Sequence, residues 1–567
     1  MRAGIEAFFP MKSSKRTKAQ ISTTAIERIY ITMRHLFIRG FYKPMGISGQ
    51  ALINELLILQ PEIYGSMGEE GAELQGLLYI IDRLPEGIAE CRYIHLTADE
   101  GLADSNFTKI IPAKRRRNCY RIDRDQVNIE ITRGRSDVYD ILTHLTFMFI
   151  EAEKIAKKVL ISDEGETIRE WTHLEKVVLN NTHLEGEERE VLIAHLSSIL
   201  GRTFEETLKA DSSFATEKKP DRLFEVIYWM GKLALNEIVQ DKKHEITFST
   251  TLRDRIGHHS YGDTWAHNIK QELFEKNLLD RPLHIISANM HSVMNSIYGP
   301  MLLPDEAEKH ESTELFELIG EKSNKDLRKK IKKGAREHGL TFIKDSTGAN
   351  IDVQIIDSQK IDFDKTRFRT TKKGSEMPVI IVMDYAFGEQ AYETLDELLK
   401  PFENTAVKKR HLKVESISVM GKAGILEGDK GDIMIPNAHI FEGTADNYPF
   451  ENQLSASDLE NHGIKVFQGS MVTVLGTSLQ NKDLLEFFHK STWGVIGLEM
   501  EGAHYQKAIQ SASRIRGNIS SNVKVRYAYY ASDNPLKTGS TLASGGLGST
   551  GIRPTYMITR KILEQIF

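Results

Sequence analysis

The sequence predicts an α/β protein: a mixed sheet flanked by helices over residues 242–567, preceded by a mainly helical (α+β) segment over 21–241. Three observations predict it. Past residue 242, compact apolar runs of strand length alternate with helical stretches, the pattern of a sheet covered by helices. Before it, apolar residues recur at helical spacing with only brief alternating runs between them. A chain of 567 residues is also too long for one core, which predicts two or three domains.

In chain order, residues 1–20 carry Lys12, Lys15, Arg16 and Lys18 without an apolar core and read as a solvated basic tail, not a signal peptide. Residues 22–57 place Ile26, Ile29, Met33, Leu36 and Phe37 at helical spacing. Short apolar runs follow at 77–84 and 92–96. Alternation at Val127, Ile129 and Ile131 predicts a strand, and residues 137–159 a strong amphipathic helix. Further helix is expected over 168–208 and 220–239. In the second half, strands are expected at 283–288, 341–343, 351–356, 379–383, 414–420, 471–475, 494–498 and 525–531, forming a largely parallel sheet. Asp345-Ser346-Thr347-Gly348 is a hairpin signal. The charged stretch 305–338 reads as a solvent-facing helical insertion. Residues 538–551, rich in glycine and serine, have the composition of a mobile loop beside a site.

Composition narrows the function classes. The net charge of -5 argues against a general nucleic-acid binder. Two cysteines, Cys91 and Cys119, exclude a cysteine-rich zinc site and suit a reducing compartment, so cytoplasmic residence is the default. No apolar run approaches the ~18 residues of a membrane span. His258, His259 and His267 lack carboxylates at ligand spacing and read as surface or packing residues, so neither a metal nor a cofactor is expected. Lys114-Arg115-Arg116-Arg117 reads as a solvated face, as a site for an anionic effector or phosphate, or as a docking point for a neighbouring subunit.

Four segments carry the chemistry. Gly421-Lys422-Ala423-Gly424 is a glycine turn expected at a strand end, where backbone approaches a ligand closely. In Glu499-Met500-Glu501-Gly502-Ala503, Glu501 opens a helix and can accept from two vicinal hydroxyls, while Met500 offers an apolar surface to a sugar. In Ser532-Asp533-Asn534-Pro535-Leu536, Asp533 ends a strand where a carboxyl is partly desolvated and can donate a proton. Gly551-Ile552-Arg553 opens the last helix. An acid at a base, an anion at the sugar hydroxyls and a water beneath the ring suffice for N-glycoside cleavage through an oxocarbenium-like sugar, by analogy with O-glycosides.

These segments resemble the nucleoside phosphorylase superfamily. Met500-Glu501 is similar to its ribose-binding pair and Ser532-Asp533 to its purine-binding pair. The nearest likeness is to the AMP nucleosidase branch. It is carried by Ser532-Asp533-Asn534-Pro535-Leu536, by Gly551-Ile552-Arg553, and by Ile131-Thr132-Arg133 before the helix at 137–159. The resemblance implies a phosphorylase-like catalytic domain over 242–567 and a possibly regulatory domain over 21–241. It implies Asp533 and Glu501 as catalytic residues, with Met500, Ser532, Gly421, Lys422, Gly424 and Glu499 on the substrate, which is AMP or another purine nucleotide or nucleoside. A homo-oligomer such as a hexamer is implied as well.

The chain departs from that pattern in two places. Val419 stands where phosphorylases carry a phosphate-holding arginine, which favours water as the acceptor. His291 and Ser292 stand where related nucleosidases carry a water-orienting glutamate, which leaves Asp384 and Glu389 as alternatives. For a 5′-phosphate the sequence offers Lys422, Arg133, Arg135, Arg253 and Arg255, with Ser260-Tyr261-Gly262 as possible support. A phosphorylase, another nucleosidase, or a nucleotide-sensing protein without catalysis are the other readings.

Overall fold

The structure is a computed structural model that describes residues 16–115, 117–258, 260–321, 323–405, 408–444, 446–459, 463–538 and 548–567. Most of the basic tail, Arg116, His259 and most of the glycine-serine segment 538–551 lie outside the described residues.

The N-terminal part is built of α1 (Lys18–Arg39), α2 (Ile47–Leu59), α3 (Leu74–Ile81), α4 (Gly134–Val159), α5 (Arg169–Leu179), α6 (Gly186–Leu200), α7 (Phe204–Phe214) and α8 (Arg222–Gln240). They surround a six-stranded sheet of β1 (Phe41–Tyr42), β2 (Tyr93–Thr97), β3 (Thr108–Ile110), β4 (Cys119–Arg121), β5 (Gln126–Glu130) and β6 (Glu245–Phe248), in the order β1-β6-β2-β5-β4-β3. The run at 77–84, too short to distinguish helix from strand by periodicity, is the helix α3. α4 is the spine of this part, with Val138, Ile141, Leu142, Leu145 and Ile155 among its buried residues. Its first turn meets the C-terminal part at Glu389, which Arg135 pairs at 2.7 Å.

That second sheet holds β7 (Leu283–Ser287), β8 (Leu340–Ile343), β9 (Val353–Asp357), β10 (Val379–Met383), β11 (Val414–Ile425), β12 (Ile433–Phe441), β13 (Asn447–Pro449), β14 (Val466–Thr473), β15 (Val495–Glu499) and β16 (Lys524–Asp533). The order is β13-β12-β14-β15-β11-β7-β10-β9-β8, and β16 bonds both β11 and β12, so β12-β14-β15-β11-β16 closes into a ring. Its helices are α9 (Thr250–Gly257), α10 (Ser260–Glu275), α11 (Met290–Leu302), α12 (Pro304–Lys309), α13 (Ser312–Gly320), α14 (Lys325–Glu337), α15 (Gln390–Leu398), α16 (Lys482–Lys490), α17 (Gly502–Gln510), α18 (Pro535–Thr538) and α19 (Ile552–Ile566). Pleating decides which face each residue covers. Val379, Ile381 and Met383 of β10 join the apolar cluster that runs on into the N-terminal part, while Ile380 and Val382 join the cluster with Ile297, Ile331 and Ile562 of α11, α14 and α19. Both faces are thus covered, and β10 is apolar throughout.

One expectation holds and another changes. The sheet is mixed, as the fold class predicts, and less parallel than the strand–helix alternation suggests, because the chain doubles back at β8/β9 and β12/β13 and because β11 meets β15 antiparallel. Gly421-Lys422-Ala423-Gly424 is not a turn. β11 runs through it to Ile425, because β16 supplies a parallel partner from Ser416 to Gly424, with an irregularity between Ala423 and Gly424.

Candidate active site

One cavity of about 900 Å3 opens where the N-terminal part meets the C-terminal ends of β7, β10, β11, β15 and β16. Its floor comes from the second sheet: Ser287, Asp384, Val419, Gly421, Lys422, Glu499, Met500, Glu501 and Ser532 line it. Its opposite wall comes from the N-terminal part and is basic, with Arg83, Lys114, Arg115, Arg117 and Arg133. Strand ends place ligands here for a physical reason: successive strands finish side by side, and their connecting turns leave backbone and short side chains facing one crevice.

Glu501 is the N-cap residue of α17. Its carboxylate accepts from the Gly388 amide at 3.0 Å and from the Met500 amide at 3.3 Å. Burial raises its pKa to about 7, opposed by those two amides and by Arg133 and Lys422. Glu499, two residues back, points inward to hold the turn. It accepts from Thr473 Oγ1 at 2.5 Å, from the Glu501 amide at 2.5 Å and from the Gly502 amide. Burial, then the neighbouring Glu501, pushes it to about 8. Gly502 leaves no room for a side chain: a Cβ there would sit 2.2 Å from the His439 ring.

Ser532 lines the cavity at the end of β16 and donates to Asp533 Oδ1 at 2.5 Å or to the Ala423 carbonyl at 3.1 Å. Asp533 itself lies beside the lining. Its Oδ2 is buried and meets no partner among the described residues, and burial raises its pKa against the pull of Ser532, Lys422 and Lys430. A carboxyl in that state retains a proton more readily than a solvated one.

The cations divide into two kinds. Arg117 is consumed by structure: its guanidinium bonds Asp137 at 2.8 Å and Asp140 at 2.8 Å, with all but about 1% of its side chain buried. Lys114 pairs with Asp82 at 2.8 Å. Arg83 lies over the Tyr79 ring, 3.5 Å from its centroid. Arg115 and Arg133 flank the Phe387 ring at 5.3 and 5.4 Å. Arg115 also lies 3.4 Å from Asp140. Arg133 makes no hydrogen bond or ion pair with a described residue, and neither does Lys422; burial and the adjacent Arg115 lower the Arg133 pKa. Such uncompensated cations are what an anionic ligand would neutralise.

Other residues singled out by sequence fall elsewhere. Arg135 is not on the cavity but pairs with Glu389 at 2.7 Å. Arg253 packs against Gly40 and donates to the Ile38 carbonyl at 3.2 Å, and Arg255 lies near Gly348. Tyr261 is buried on α10, its hydroxyl facing Gly134. Gly424 pairs with Leu498 inside the sheet. His291 and Ser292 form the first turn of α11, where the His291 amide and the Ser292 hydroxyl bond Asn289. Of the two alternatives for orienting water, Asp384 lines the cavity and Glu389 is committed to Arg135. Sequence reasoning missed Arg83, Tyr385, Phe387, Tyr505, Tyr529 and Tyr530, all on the lining. Only the tyrosine pair at the end of β16 left a local signal.

Together these features define a mixed α/β protein with a ligand-sized cavity that is carboxylate-floored and cation-walled. The chain belongs to DUF6909, a family of unknown function whose model matches residues 50–334 and 318–567. No curated protein matches it. Solved structures similar to half of the chain include a Helicobacter pylori futalosine hydrolase, 11% identical over 97% of its own length, with a TM-score of 0.29. A Campylobacter jejuni 5′-methylthioadenosine/S-adenosyl homocysteine nucleosidase is 10% identical over 99% of its length, TM-score 0.30, with 50% of this chain covered. A Schistosoma mansoni uridine phosphorylase is 12% identical over 89% of its length, TM-score 0.30, with 52% of this chain covered.

Proposed function

We propose that this chain hydrolyses the N-glycosidic bond of a purine nucleoside 5′-monophosphate, AMP foremost, releasing adenine and ribose 5-phosphate. One observation carries the reading: a single cavity sets the half-buried Glu501 carboxylate on its floor, with Arg133 and Arg115 on its wall. A carboxylate accepts from the vicinal hydroxyls of a ribose, and guanidinium groups bind a phosphate. A nucleoside without phosphate would leave the wall unneutralised. In this reading Met500 faces the sugar, Ser532 and Asp533 meet the base, and Asp533 supplies the proton that makes the purine a leaving group. Val419 leaves the floor without an arginine for inorganic phosphate, Lys422 being given to the ligand's own phosphate, and Asp384 is the carboxylate that would orient the attacking water.

The second reading, a nucleotide sensor without turnover, is favoured by the place of Asp533 beside the lining instead of on it. Incubation with AMP, adenosine and inosine, each with and without inorganic phosphate, separates the readings. Free adenine from AMP without phosphate is the expected result. Base released only when phosphate is added would make the chain a phosphorylase, and binding of AMP without release would make it a sensor.

A further inference from the structure

The loop 384–390 joins the two halves of the site. Its Gly388 amide is one of only two described donors to Glu501, yet the loop is held from the other side by the N-terminal part. Ser136, in the first turn of α4, accepts the Glu389 amide at 3.2 Å. Arg135 pairs with the Glu389 carboxylate at 2.7 Å, with side-chain exposures of 9% and 19%. Gly388 has a φ of +57, and a Cβ there would lie 2.1 Å from Ser136 Oγ. The loop and the first turn of α4 therefore fit together with no slack. The next ring along, Phe387, lies between Arg115 and Arg133, the cations offered to the ligand's phosphate.

We infer that Ser136 and the Arg135–Glu389 pair are positioning residues for Glu501. They press the Gly388 amide onto its carboxylate, so the N-terminal part sets the sugar-binding floor as well as supplying the phosphate wall. The inference rests on the proposed function for its kinetic readout. It goes beyond it because neither Ser136 nor Glu389 touches the cavity contents. A hydrogen bond to a charged acceptor is worth enough that loosening it changes a rate measurably.

Two substitutions in the full chain test this, Ser136→Ala and Glu389→Gln. Hydrogen exchange followed by mass spectrometry should show faster exchange across 384–390 in both. With AMP, kcat should fall about ten-fold while KM stays within about two-fold, since the cations are intact. The acidic limb of the kcat profile should move to higher pH, because the lost amide bond had favoured the Glu501 anion. The other groups facing Glu501 are Glu499, Arg133, Lys422, Tyr505 and Tyr529, and all remain in these variants. Faster exchange with kcat and the pH limb unchanged would overturn the inference, reducing the contact to a domain seal; unchanged exchange would overturn it too. If the unaltered chain releases no base, the proposed function fails, and calorimetry with AMP against its 2′,3′-dideoxy analogue decides the positioning role. Ser136→Ala should then weaken AMP binding and leave the dideoxy analogue unaffected, whereas equal weakening of both would sink it.

Discussion

Arg117 and Arg133 line the same wall of the same cavity, sixteen residues apart on the chain, yet they are opposites. Arg117 is a buried cation whose charge Asp137 and Asp140 answer in full, and they hold its proton well above the ordinary range. Arg133 lines the cavity with an aromatic face beside it and no counter-charge in contact among the described residues. Burying a guanidinium costs several kcal/mol unless its charge is matched, so the fold completes the first internally. The second is affordable only because solvent reaches it, and that access lets a ligand replace the water. The floor follows the same rule: Glu499 is saturated by Thr473 and two amides, whereas Glu501 keeps acceptor capacity toward the cavity.

The largest expected effect falls on the floor. Asp533→Asn removes the donor proposed for the base and should lower kcat for AMP by about 10²–10⁴-fold, the usual worth of general acid help. AMP affinity should change little. Steady-state assays across the two proteins check it, and an unaltered kcat would move the acid elsewhere.

Next comes the pair of arginines. Arg117→Met strands Asp137 in the interior and leaves Asp140 to Arg115 alone among the arginines, and should cost about 3–5 kcal/mol of stability, the range for breaking a buried ion pair. Urea unfolding measures it. Arg133→Met removes no ion pair or hydrogen bond with a described residue, only the contact with the Phe387 ring, so its stability should fall by about 1 kcal/mol or less. Its KM for AMP should rise about 10–100-fold, the loss of a charge-assisted hydrogen bond, while kcat/KM for adenosine falls far less. If the two variants behaved alike, the distinction between a structural and a ligand-facing cation would be wrong.

Those arginines also show what was legible in the sequence. The floor motifs at 499–503 and 532–536 are contiguous, and each is a strand end joined to a helix start, so spacing alone located Glu501 at the opening of α17 and Asp533 at the end of β16. The wall is assembled from the end of α3, the turn before β4 and the loop before α4, which only tertiary packing brings together. Lys114, Arg115 and Arg117 read as one cluster because they are adjacent, yet their partner sets differ: Asp82 for Lys114, Asp140 and the Phe387 ring for Arg115, and Asp137 with a share of Asp140 for Arg117. The glycines of β11 misled in the other direction. Glycine content suggests a turn, but the hydrogen bonds of β16 kept that backbone in the sheet.

The smallest effect tests whether the raised carboxylates belong to the site or to burial in general. Glu442 follows β12, away from the cavity, and is as buried as Glu499; burial pushes it to about 8, with the Leu475 amide as its one opposing contact. A carboxyl held above its ordinary pKa binds its proton more tightly folded than unfolded. It therefore costs nothing below the unfolded value near 4.5, and an increasing amount as pH climbs to about 8, after which the cost is constant. Glu442→Gln should accordingly leave the midpoint of thermal unfolding unchanged near pH 4.5, raise it progressively to pH 8, and hold that gain at pH 9. Turnover of AMP should be unaffected throughout. A Glu499→Gln chain should show a smaller stability gain, since Gln keeps one acceptor oxygen where Thr473 and two amides donate to two, and should lose activity, because Glu499 holds the turn that presents Glu501. If both variants kept full activity, the floor would be a buried carboxylate cluster like any other, and only the cation wall would remain to mark the cavity as a site.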